Sequence, residues 1–145
     1  MKKLGEIAKV INGSSSVKDE NALWIKSIGE FKALKSIGRN KPENLLQVIP
    51  GSSVSKEFLY LILERPLDNF LKESEKALPK LSIAALKSIQ IPIPTIEIQD
   101  EILASKNVKR KIQKLWLDNG IRSYKDKFSV DMSFDELLKI LSQPK

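Results

Sequence analysis

The chain contains neither cysteine nor histidine. Without cysteine there is no disulfide framework and no thiolate metal site, which suits a reducing compartment. Without histidine the commonest metal ligand and the usual acid–base group near neutral pH are gone. A Ser-His-Asp triad, a zincin helix and a zinc deaminase centre are therefore excluded within this chain. Long apolar runs are missing as well. Nothing is long enough to span a bilayer, and Met1-Lys2-Lys3 does not lead into a signal-peptide core, so the expectation is a cytoplasmic protein with no membrane contact. A glycine-rich cofactor loop and an Asn-Pro-Pro-aromatic motif are also absent, which argues against a methyltransferase. Arginine is scarce, at four of 25 basic residues. Positioning on phosphates is thus better supported than base readout.

What is present is enough apolar material, 41% of 145 residues, for one core. The net charge is +7, and its distribution is uneven. Residues 1–42 carry +5, residues 43–95 are neutral, residues 96–104 carry −3, residues 105–127 carry +6 and residues 128–145 carry −1. Two basic segments around a neutral middle fit a polyanionic partner, whereas a basic surface alone would serve solubility.

The pattern along the chain predicts an α+β fold. "LGEIAKVING" reads as an opening strand closed by Asn12-Gly13, "ALWIKSI" as a second strand and "LLQVIPG" as a third. "SKEFLYLILER" has helical spacing, with Ser53 or Ser55 as N-cap and Pro66 as a stop or as the start of a second short helix. Ser82 caps a short helix, "IAALKSI". "QIPIP" follows as an edge strand, because Pro92 and Pro94 cannot donate to a ladder and push Ile91 and Ile93 away from helical angles. Thr95 then caps a long helix over about 96–118, with Asn119-Gly120 as its stop. Its imperfect apolar stripe comprises Ile98, Ile102, Val108, Ile112, Leu115 and Trp116. The Ser133–Glu136 capping box opens a terminal helix over 133–141. The expected divisions are a mixed-sheet domain over 1–95, a spacer or dimerisation helix over 96–119 and a tail over 120–145.

The block "LPKLSIAALKSIQIPIPTIEIQDEIL" resembles the C-terminal signature of target recognition domains from type I restriction-modification specificity subunits. Leu81-Ser82, Leu86, Ile89, Ile91-Pro92-Ile93-Pro94, Glu97, Gln99 and Ile102 follow the family order. Glu97-Ile98-Gln99 departs from the usual adjacent Glu-Gln. "LGEIAKVINGSS" and "EFLYLIL" resemble the family's opening strand and pre-signature helix. The resemblance implies a non-catalytic reader of double-stranded DNA, without cofactor or metal, whose long helix sets the spacing between half-sites and docks a DNA-adenine methyltransferase subunit. With one recognition domain, the chain fits a half-size subunit, the recognition part of a larger methylase, or a trimmed relative acting only as a protein-interaction module.

Candidate DNA contacts are Ser14, Ser15, Ser16, Lys26, Lys32, Lys35, Arg39, Asn40, Lys41, Lys76 and Lys80. The lysines suit phosphates, Arg39 and Asn40 suit bidentate contacts to guanine and adenine, and the serines can bond phosphate or base edges from a loop. The six stripe residues are the candidate partner or homodimer surface, with Trp116 as anchor. The competing enzymatic pattern is Asp19 with Glu30-Phe31-Lys32, the loose shape of a magnesium-dependent nuclease.

Overall fold

The computed structural model describes residues 1–16, 19–74 and 79–123. The expected helix over 133–141 lies outside them. The elements in chain order are β1 (Lys2–Lys3), α1 (Leu4–Ile7), β2 (Ala8–Asn12), β3 (Leu23–Lys26), β4 (Lys32–Leu34), a 3-10 turn (Pro42–Asn44), β5 (Leu45–Pro50), α2 (Lys56–Ile62), α3 (Glu64–Lys72), α4 (Ile83–Ser88), β6 (Gln90–Ile91), α5 (Ile96–Ala104) and α6 (Val108–Asp118). Among the described residues no helix is long and apolar enough to cross a membrane.

The fold is α+β. The main sheet has the order β2-β5-β3-β4, and every pairing in it is antiparallel. This corrects the expected mixed sheet. β2 and β3 run the same way, but β5 lies between them; β4 and β5 run the same way, but β3 lies between them. Two return connections, 13–22 and 35–44, therefore carry the chain from one end of the sheet to the other.

Alternation along the strands gives the sheet two faces. The cross-strand sets Val10, Val48, Leu23 and Ile25, Leu46, Ala33 share one face and join the core. Helices α2 and α3 pack there through Phe58, Leu59, Ile62 and Leu67, all essentially inaccessible. On the other face Gln47 stands beside Trp24, and both are buried. Gln47 Oε1 accepts the Asp19 N–H at 2.9 Å, which pins the return connection across that face.

Three expected caps are present. Ser55 Oγ accepts the Phe58 N–H, Ser82 Oγ the Ala85 N–H, and Thr95 Oγ1 the Ile98 N–H. Four expectations differ. The opening strand starts only at Ala8, because Leu4 and Ile7 both reach the core from one helical turn. Of the two roles expected of Pro66, the structure has the second, shifted by two residues: it sits third rather than first in the second short helix, α3, in the first turn where its missing N–H has no partner to lose. The edge strand is two residues long and pairs with β1 in a separate ribbon, Lys2 opposite Ile91. Pro92 and Pro94 lie beyond it, as their missing donors require.

The fourth difference is the break in the long helix after Ala104. At ~100° per residue, Gln99 and Ile112 on one straight helix would point about 140° apart. Both are buried in the same body, and the chain between them is broken rather than one straight helix. Ser105 supplies the local means: its extended backbone ends α5, and its Oγ accepts the Asn107 N–H at 3.0 Å. α6 then ends in a Schellman turn, as Asn119-Gly120 suggested. Gly120 takes φ 76°, its N–H donates to Leu117 O, and the Ile121 N–H donates to Trp116 O.

Gln99 explains the Ile-Pro block. It is fully buried, with its amide completely engaged. Oε1 accepts the Ser55 N–H at 3.0 Å, and Nε2 donates to Ser53 O at 2.8 Å and Pro94 O at 2.9 Å. One side chain thus ties the start of α2, the extended Ile-Pro segment and the first turn of α5. The prolines hold the chain straight there, so that a carbonyl is presented to that amide.

Candidate nucleic-acid interface

Strand polarity decides which candidate residues meet. The C-terminal ends of β2 and β3 and the N-terminal ends of β5 and β4 lie together, since Asn12 pairs with Leu46, Lys26 with Leu45, and Lys26 with Lys32. Asn12-Gly13 turns the chain there, and the Gly13 N–H donates to Leu45 O at 2.9 Å. A Cβ at Gly13 would stand 2.3 Å from Pro42 O and 2.5 Å from Leu45 O, so only glycine fits the seam. The next residues are Ser14, Ser15 and Ser16, of which Ser14 and Ser16 are exposed.

Lys26 and Lys32 stand at the same end, Lys26 half-buried and paired with Glu30 at 3.4 Å, Lys32 exposed. Lys41 precedes the 3-10 turn that feeds β5. The start of the signature segment docks beside them: the Gly29 N–H donates to Pro79 O, the Leu81 N–H donates to Ser27 O, and Lys80 bridges to Ile28. Five loop or strand termini therefore bring the three serines, Lys26, Lys32, Lys41 and Lys80 to one end of the sheet. Glu30 and Glu43 are the acids there.

Other candidates are placed elsewhere. Lys35 follows the far end of β4, with its ammonium 4.9 Å from the centre of the Tyr60 ring. Arg39 and Asn40 lie on the return connection after Gly38, whose φ is 58°. Arg39 is exposed, while Asn40 is half-buried and one Nδ2 proton is donated to Ile37 O at 2.9 Å, which fixes the amide against its own turn. Lys76 lies outside the described residues.

Three residues at this end were read only as strand or turn. Asn12 and Asn44 are exposed amides, and Ile28 is an exposed apolar side chain, 38% accessible. Amides match adenine edges and an isoleucine matches the thymine methyl. The Asn-Gly turn signal and the β-branched run masked them.

The stripe divides. Ile102, Ile112 and Trp116 are buried in the core; Val108 and Leu115 are half-buried against it; Ile98 is 45% exposed. Trp116, expected as an interface anchor, is an internal one. Its Nε1 donates to Ile62 O at 2.9 Å, and the Arg65 guanidinium lies 4.7 Å over its ring.

The nuclease-like acids do not converge. Asp19 precedes the start of β3, where its Oδ1 accepts the Asn21 N–H, while Glu30 follows the other end of that strand and pairs with Lys26. Among the described residues no group of three or more such ligands is placed to hold a metal ion.

Residues 23–105 match the type I restriction modification DNA specificity domain family. No curated protein matches the chain. The family match spans β3 through α5 and covers more than half of the sequence, and the chain belongs to this family, with a role in DNA sequence specificity.

Proposed function

We propose that this DNA specificity domain grips duplex DNA with the end of its sheet defined by Ser14–Ser16, Lys26, Lys32, Lys41 and Lys80. The observation that carries the reading is the convergence of separate chain termini, each bearing a cation or hydroxyl, on one end of a rigid sheet. The lysines hold phosphates and fix the register; Asn12, Asn44 and Ile28 face bases. The chain performs no chemistry and positions a DNA-adenine methyltransferase subunit on its site. Residues 1–95 supply the recognition body, and the surface of α5 where Ile98 is exposed receives that subunit.

The test is duplex binding by the full chain at several salt concentrations. Each lost phosphate contact reduces the slope of log K against log salt by about 1. Lys32→Gln with Lys80→Gln should flatten it by about 2. A double variant with unchanged slope and affinity would remove the sheet end from the interface.

A further inference from the structure

We infer that the basic outer face of α6 is a second phosphate track, separate from the sheet end but continuous with it, so that the domain contacts the duplex backbone along two surfaces. The inference rests on the DNA-binding reading above and adds residues from another element. Lys106, Lys109, Arg110, Lys111 and Lys114 are all exposed. Among the described residues only Lys114 of these makes an ion pair, with Asp118 at 2.8 Å. The acids of the neighbouring helix, Glu97, Asp100 and Glu101, are exposed too, and among the described residues none of them makes an ion pair with these cations.

Continuity with the sheet end comes from a groove of about 770 Å³. Its lining includes the cations Lys32 on β4, Arg65 on α3 and Lys109 on α6, together with the acids Glu30, Glu64 and Asp68, so the cations at its two ends, not its middle, carry the track. Lys109 and Lys32 thus line one depression. On the helix surface, residues three and four apart are neighbours, so Arg110 and Lys114 form one row and Lys109 with Gln113 another, while Lys106 stands in the turn just before the helix. A run of exposed cations along a helix, of which only Lys114 is ion-paired, suits a repeating anionic backbone better than a single anion. It carries no base readout, because every member is a flexible point charge except Arg110.

The experiment compares three full-length chains on a mixed-sequence duplex across a salt series: the natural sequence, Lys109→Gln with Arg110→Gln and Lys111→Gln, and Lys32→Gln with Lys80→Gln. The α6 triple variant should lose affinity equally for all sequences and flatten the salt slope by about 2–3. Its urea midpoint should match that of the natural chain, since the three side chains are exposed. An α6 variant that binds like the natural chain, beside a weakened sheet-end variant, overturns this inference and leaves the sheet-end reading intact. The reverse result overturns the sheet-end reading and keeps α6 as the contact. No duplex binding by the natural chain at low salt overturns both. Retained DNA binding by the α6 variant with lost binding to an acidic protein partner also overturns the inference.

Discussion

Gln99 offers the sharpest test of how the Ile-Pro block works. Replacing it with leucine removes three hydrogen bonds and strands the Ser55 N–H, Ser53 O and Pro94 O. Each bond contributes about 0.5–1.5 kcal/mol net, and a buried orphan costs about 1–3 kcal/mol. Ser53 is exposed and can turn to water, so the penalty falls mainly on the Ser55 donor and the Pro94 acceptor. The expected loss is about 2–4 kcal/mol, a large part of the ~5–15 kcal/mol typical of a domain. Gln99→Glu isolates the polarity of the site. A carboxylate there still accepts from Ser55 but faces two carbonyl oxygens where the amide donated. Burial and those oxygens raise its pKa in the folded chain above the unfolded value of about 4.3. The folded state therefore binds the proton more tightly. The deficit of this variant is smallest below about pH 4.3 and grows as pH rises through the folded-state pKa. Urea unfolding of the natural chain and both variants at several pH values reads all of this. A Gln99→Leu midpoint equal to the natural one, or a Gln99→Glu deficit that does not shrink in acid, would refute the clamp.

Other expectations follow from single positions. Gly13→Ala drives a Cβ into two backbone carbonyls, so stability should fall by about 1–3 kcal/mol and duplex affinity should fall with it, as the Ser14–Ser16 turn shifts. Ile112→Asp places a charge at a site 3% exposed; the whole chain should unfold in circular dichroism, with a loss above about 4 kcal/mol, rather than merely lose a partner. Gly120→Ala meets no neighbouring atom but must hold φ 76°, so thermal denaturation should show a loss of about 1–2 kcal/mol with unchanged DNA binding.

The sequence by itself determined the local chemistry. It named the caps at Ser82 and Thr95, narrowed a third to Ser53 or Ser55, and marked the stop at Asn119-Gly120 and the α+β class, because hydroxyl caps, left-handed glycines and apolar periodicity act over one or two turns. It also carried the family likeness in the Ile-Pro block. It did not reveal the break at Ser105, since neither proline nor glycine marks it. With the break, Gln99 and Ile112 reach one core from positions a straight helix would hold about 140° apart. Nor did it separate Lys32 from Lys35, three residues apart on one basic run. Strand β4 runs between them, and an extended strand carries its two ends to opposite ends of the sheet. Which cations share a surface is a property of strand order and direction, and those depend on pairings made between residues far apart in the chain.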